Sequence, residues 1–311
     1  MAAVTIIGAA NIDIQGIPDR TLRPGDSNPG RVTVSPGGVG RNIAENAARL
    51  GLQVNLISVF GDDDYSREIV SGLRSVGVEI GGSLILPGRG SSAYLCLLDA
   101  DRTLHVAVSD MKLTEEITPE LIDRCRPILA SSRLCVLDAN LRIDAIEHVA
   151  ESLPDLPLLF DPVSAAKAAR GAGILSRLRA VKPNRREAEI LAGIEIRGEE
   201  GLDRASGILH EQGTEAVFIS LGEEGLYFSA GGARGRAAMS TREGVRSTNG
   251  AGDAMTAAIV YGIVNDWEAG ETARLALAAS SIAAESELAV NPSLDLSLVT
   301  ERTAHTRVIR R

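Results

Sequence analysis

Hydrophobic and polar positions fall into three regimes along this chain. The first is a set of short apolar runs: Val4-Thr5-Ile6-Ile7, Val54 to Val59, Leu134 to Leu137, Leu158 to Phe160, Ala180-Val181, Val217 to Ser220 and Leu226 to Phe228. Each is too short for a helix and predicts a buried strand. The second is longer and helical in spacing. Asp62 to Ser75 opens on acids that suit a helix dipole, an Ala-rich stretch follows Asn42 as far as Leu50, and residues 269–286 are Ala-rich and predicted buried. From residue 118 onward these two regimes alternate, which predicts right-handed βαβ crossovers and a mainly parallel sheet. The third is strict alternation, in Arg31-Val32-Thr33-Val34 and again at Tyr94, Cys96, Leu98, Leu104, Val106 and Val108. It predicts a thin, two-sided sheet standing off the main one, although a simple meander at the sheet edge reads the same way.

Ligands of open α/β sheets sit at the carboxyl ends of the strands. The residues there are Asn11 and Asp13, then Asn140, Asp161, Lys182-Pro183-Asn184 and Leu221-Gly222. Any one of them serves equally well in a turn; gathered at one edge they make a cleft. Gly37-Gly38-Val39-Gly40-Arg41-Asn42 lets backbone approach a ligand closely, and Asn42 can both donate and accept toward a diol. Asn184 with Glu187 three residues on is either a capping box or a polar pair beside a phosphate. Ser220 to Gly225 is either a hairpin turn or a loop passing close to a nucleotide.

The organising stretch is Ser247-Thr248-Asn249-Gly250-Ala251-Gly252-Asp253-Ala254-Met255, followed by the apolar Ala257-Ala258-Ile259-Val260. A helix starting here leaves its first N–H groups unpaired and favours an anion. An Asp beside a bound phosphate makes sense if it accepts the proton of the hydroxyl that attacks it. The bland alternative is an ordinary helix start with an Asp near its cap.

Composition narrows the picture. The chain has 311 residues, 44% hydrophobic, enough for one large α/β domain or two smaller ones. A formal charge of −9 with no basic block argues against nucleic-acid or membrane-surface partners, but leaves room for a phosphate site built from backbone N–H groups. Cys96, Cys125 and Cys135 show no CxxC spacing and read as buried thiols in a reducing compartment. The start has no basic n-region, no apolar run is long enough to span a membrane, and the four His match no metal spacing. No GxxxxGK[ST] occurs, so the phosphate site is not a Walker A loop.

Residues 247–260 resemble the C-terminal signature of the PfkB, or ribokinase-like, sugar and nucleoside kinases. The spacing from Gly38 through Asn42, Ala44 and Gly51 to Gly61 resembles that family's N-terminal signature without a gap. The resemblance implies a ribokinase-like three-layer α/β sandwich with a mainly parallel central sheet and a small β-sheet lid. It implies one domain over 1–311, with lid strands inserted at about 14–36 and 84–110. It also implies transfer of the ATP γ-phosphoryl group to a primary sugar hydroxyl. Gly250, Ala251 and Gly252 would then surround the phosphate, with Asp253 as catalytic base. Asn11, Asp13, Gly38, Val39, Asn42, Asp110 and Asn140 would hold the acceptor, and Asn184, Leu221, Gly222, Gly225 and Gly252 the nucleotide. Glu187 would act on the Mg2+ that accompanies ATP, through water. The family's monovalent-cation loop usually opens on an acid; Ser247 stands there instead and puts that cation in question. Expected partners are a nucleoside, ATP and a second copy meeting through the lid, in the cytoplasm. Gly8 to Asp13, Ser109-Asp110-Met111, Asp161 to Ser164 with Lys167, and Asn291-Pro292 resemble the pseudouridine kinases within the family. That implies phosphorylation of a ribose 5′-hydroxyl; ribokinase, adenosine or inosine kinase, and a non-catalytic nucleoside sensor are the alternatives.

Overall fold

The computed structural model describes residues 3–101, 103–240 and 244–311. Its centre is a ten-stranded sheet. In chain order the strands are β1 Ala3–Ile7, β4 Gln53–Ile57, β5 Val78–Glu79, β8 Leu134–Asp138, β9 Leu158–Asp161, β10 Leu178–Val181, β11 Ala216–Ser220, β12 Leu226–Ala230, β13 Ala233–Met239 and β14 Thr306–Arg310. Across the sheet they run β14-β13-β12-β11-β10-β9-β8-β1-β4-β5. Pairing is parallel from β5 through β11 and antiparallel from β11 to β14. A second sheet of four strands has the order β3-β2-β6-β7, from β2 Asn11–Pro18, β3 Gly30–Gly37, β6 Ala93–Leu98 and β7 Leu104–Asp110. This is the ribokinase-like α/β architecture that the resemblance implies.

The parallel strands are apolar on both faces because both faces are covered. Val4, Ile6, Leu134, Val136, Leu159 and Phe218 point into one core, which also buries α1 Val39–Arg49, α2 Asp64–Ser75, α6 Ala251–Val264 and α7 Ala269–Ala283. Ile7, Cys135, Leu137, Leu158, Phe160 and Ile219 point into the other, with α3 Ile143–Ser152, α4 Arg185–Ala192 and α5 Gly198–Glu211. Helix α6 is apolar nearly all round because α1 and α7 pack against it. The six apolar runs after Val4–Ile7 all fall within strands, the run from Val54 broken at Ser58 before a two-residue strand, Val59–Phe60. Strands β13 and β14 were not legible: Ala233–Met239 carries three alanines and two arginines, and Thr306–Arg310 lies in a charged tail.

The small sheet is strongly two-faced. Asp13, Gln15, Thr33, Ser35, Tyr94 and Cys96 look across a cavity of about 780 Å3 toward the 245–249 loop. The opposite face bears Val32, Val34, Leu95, Leu97, Val106 and Val108, all exposed.

Candidate active site

All of the candidate strand ends lie at one edge, because the strands that carry them are parallel. The edge is completed by the first turns of α1 and α6. Gly250 begins α6 with φ 74, a left-handed backbone that a β-carbon disfavours. A β-carbon there would also lie 1.7 Å from the Ala289 carbonyl oxygen. Glycine at this position therefore allows the turn to sit tightly against the 289–292 loop. Helical bonding in α6 starts with Ala254 N–H to the Gly250 carbonyl, at 3.0 Å. The N–H groups of Gly252 and Asp253 precede it and are left for an anion.

Asp253 sits on that first turn, partly buried. Burial raises its pKa to about 7; Asp161 adds to the rise, while the Asn42 hydrogen bond and Lys182 oppose it. Asn42 Nδ2 donates to Asp253 Oδ2 at 2.8 Å, linking α1 to α6. Lys182, at the end of β10, is buried and pairs with Asp161 Oδ2 at 3.2 Å. Burial alone would lower its pKa, but Asp161, Glu187 and Asp253 outweigh it and hold the ammonium above its ordinary value. A β-carbon built on Gly252 would lie 3.3 Å from Lys182 Nζ, so a charged cation stands beside the open helix terminus. Thr256 Oγ1 donates to the same Asp161 oxygen at 2.7 Å.

On the acceptor side, Asn11 Nδ2 donates to Asp13 Oδ1 at 2.7 Å. Burial raises the Asp13 pKa, against hydrogen bonds from Asn11 and Asn249 and the charge of Arg41. Gly38 caps α1 with φ 96, and Val39 is the helix's first residue. Asp138 lies beneath them, fully buried; its Oδ2 accepts from Ala9 N and Gly40 N and its Oδ1 from Asn140 N. Burial pushes its pKa up to about 6, against those backbone hydrogen bonds. Asn140 Oδ1 accepts from Lys167 Nζ at 2.5 Å. These two residues and Asp110 line a second cavity, of about 1050 Å3. Of the acceptor candidates, Asp13 thus lines the first cavity and Asp110 and Asn140 the second, with Asp138 and its partners between Asn140 and the start of α1.

The nucleotide-side candidates are also together. Asn184 Oδ1 accepts from Glu187 N at 2.9 Å, and the Glu187 carboxylate accepts from Asn184 N and Nδ2 at 2.8 and 2.6 Å. The capping box is thus formed, and its carboxylate is buried, with its pKa raised by that burial. Leu221 N–H bonds the Gly225 carbonyl at 2.9 Å, closing a tight turn through Gly222 between β11 and antiparallel β12. An isolated bridge from Asn184 to Ser220 sets this turn beside the capping box.

A family model described as pfkB family carbohydrate kinase matches residues 1–296. The chain belongs to the PfkB family of carbohydrate kinases. Members of the family use ATP and transfer phosphate to an alcohol acceptor. This kinase is 35% identical to a pseudouridine kinase of Escherichia coli K12 over 296 residues, 95% of each chain. It is 33% identical to an uncharacterized sugar kinase of the same organism, over 94% of this chain and 82% of that one. Among solved structures, a putative sugar kinase from Clostridium perfringens superposes with a TM-score of 0.89 at 31% identity, covering 100% of this chain and 98% of that one.

Three residues of this kinase's site escaped the sequence reading. Asp138 is the last residue of β8, one place beyond the apolar run, and ties Ala9, Gly40 and Asn140 together. Thr256 falls between the Ser247–Met255 stretch and the apolar Ala257–Val260 run and has no role in that reading. Arg41, buried beside Asn42, lies within the Gly37–Asn42 stretch but has no role there either. The signal available for Asp138 was a charged residue adjoining an apolar run, which single-sequence patterning cannot separate from solvent exposure.

Proposed function

We propose that this kinase phosphorylates the ribose 5′-hydroxyl of pseudouridine with ATP, giving pseudouridine 5′-phosphate and ADP. The observation that carries the chemistry is Asp253, a carboxylate with a pKa near 7 on the open first turn of α6. A base works best when its pKa lies near the working pH. Asp253 accepts the hydroxyl proton, while the N–H groups of Gly252 and Asp253, on the turn that Gly250 opens, and the Lys182 ammonium face the transferred phosphoryl group. Phosphoryl transfer needs little more than such positioning and charge stabilisation. Asn11, Asp13, Gly38, Val39 and Asn42 hold the ribose. Asn184, Leu221, Gly222 and Gly225 hold ATP.

Glu187 fits a role toward Mg2+ held through water, since its oxygens already accept from Asn184 and retain further lone pairs. Mg2+ bound with ATP would neutralise phosphate charge. Ser247 in place of an acid leaves the monovalent cation without that ligand.

The substrate rests on the 35% identity to a pseudouridine kinase across nearly the whole of both chains, with a sugar kinase nearly as similar. Pseudouridine carries a ring N–H that uridine lacks, and a buried acceptor reading that N–H rejects the wrong base strongly. Asp110, Asn140 and Lys167 face the cavity that would take the base. The small sheet acts as a lid, and its exposed apolar face packs on the same face of a second copy, an isologous contact. Sedimentation should give a dimer, and Leu95→Asp should give a monomer. The deciding assay is kcat/KM for pseudouridine, uridine, cytidine, adenosine, inosine and ribose under one condition. Pseudouridine should lead. If uridine, adenosine or ribose equals it, the substrate is wrong while the kinase assignment stands.

A further inference from the structure

Arg41 takes no part in the chemistry set out above, yet its guanidinium is almost fully buried, with a side-chain exposure of 9%. A buried arginine costs several kcal/mol in desolvation unless its donors are matched. The two terminal nitrogens are matched, while the buried Nε has no partner; Nη2 pairs with Glu45. Nη1 donates to the Pro36 carbonyl at 3.1 Å and to Asn42 Oδ1 at 2.8 Å. Glu45 accepts in turn from Arg49 Nε and Nη2 at 3.0 and 2.9 Å, and Arg49 Nη1 reaches the Pro292 carbonyl at 2.7 Å. One polar chain thus runs from β3 of the lid, through α1, to the loop that flanks Gly250.

The consequence falls on Asn42. An amide has one accepting and one donating end, which differ little in shape. Arg41 can only donate, and an ionised Asp253 can only accept. Together they hold Oδ1 toward Arg41 and Nδ2 toward Asp253, leaving the second Nδ2 proton for the acceptor. The turned-over amide would set oxygen against carboxylate and N–H against guanidinium.

The geometry points to Arg41 as a positioning residue that fixes the Asn42 amide with its donor end toward Asp253 and ties that orientation to the lid at Pro36. The inference rests on the kinase reading above. Under it, Asn42 offers the substrate a donor, so the hydroxyl that accepts from Asn42 keeps its own proton for a carboxylate.

The test is a double-mutant cycle: Arg41→Met and Arg41→Lys, each in the native and Asn42→Ala backgrounds, with steady-state kinetics on the best nucleoside. In the native background Arg41→Met should raise the nucleoside KM about tenfold and leave the ATP KM within roughly twofold. Arg41→Lys, which keeps the charge and a donor, should recover part of that loss. In Asn42→Ala the Arg41 substitutions should add almost nothing. Asp253 is faced by Asp138 from β8, Asp161 from β9, Lys182 from β10, and Asn42 and Arg41 from α1. Because the Asn42 bond lowers the Asp253 pKa, the acid limb of kcat/KM should move up further in Arg41→Met when Asn42 is present than in Asn42→Ala, where only the loss of the Arg41 charge acts. Equal effects in both backgrounds, or native kinetics in a folded Arg41→Met protein, would overturn the assignment. If Arg41→Met does not fold, the Arg41→Lys arm runs the same cycle. A readout independent of turnover is the Asn42 side-chain amide resonance in 15N-labelled protein, identified by its loss in Asn42→Ala. It should shift with Arg41→Lys, and an unmoved resonance would also defeat the inference. A native chain that phosphorylates nothing would instead defeat the kinase reading.

Discussion

Helices α1 and α6 begin alike, but only α1 has its first N–H groups taken by the protein itself. Each starts at a glycine with positive φ, Gly38 at 96 and Gly250 at 74, and each runs on as Gly-x-Gly with no side-chain cap. By sequence either could cradle a phosphate. In α1 the early N–H groups are already taken: Gly40 by the Asp138 carboxylate at 2.9 Å, Arg41 by the Ala9 carbonyl at 3.0 Å. The protein's own anion fills the place of a ligand. In α6 the corresponding groups, Gly252 and Asp253, have no such acceptor among the described residues, and the neighbouring side chain is a cation, Lys182. A glycine-rich helix start becomes an anion site only when nothing inside the fold has occupied it.

The largest effect expected is at Asp253. Asp253→Asn should keep the fold and nucleotide binding and lose on the order of 100-fold or more in kcat; near-native turnover would end the proposal that α6 is the reacting terminus. The sign of its pH dependence follows from a pKa raised from 3.8 to about 7. The base is charged above that value, so kcat/KM should fall about tenfold per pH unit below it. A native profile flat from pH 5.5 to 8 would contradict this.

Next come Asn184→Ala and Glu187→Ala. Each should raise the KM for Mg-ATP about tenfold with little change in nucleoside KM. If only melting temperature falls, the pair is a capping box and nothing more. Asp138→Ala sharpens the contrast from the α1 side. It leaves the buried Ala9 and Gly40 N–H groups and the part-buried Asn140 N–H without their acceptor and should lower stability in urea unfolding by about 1–3 kcal/mol for each buried group. A loss in kcat as deep as that of Asp253→Asn would show that the two helix starts do not divide their tasks. The smallest effect concerns Ser247: exchanging choline for K+ should change the rate by less than roughly twofold, and a many-fold rise would restore the cation site.

Much of the α/β pattern was legible because it is local. A buried parallel strand must be apolar on both faces, so Val4–Ile7, Leu134–Leu137 and Val217–Ile219 announce themselves. The strands of the small sheet were legible for the opposite reason, since a sheet with one apolar and one polar face must alternate. The turn glycines Gly38 and Gly250 were legible because both stand at positive φ, which few residue types tolerate. What only tertiary structure decided was pairing. No local pattern says that Asn42 meets Asp253 across 211 positions, that Asp138 closes α1, that Lys182 pairs with Asp161, or that Arg41 is buried. Those facts depend on which long-range neighbours remove a charge from water, and the energy of a charge is set by its partners in space, not by its neighbours in the chain.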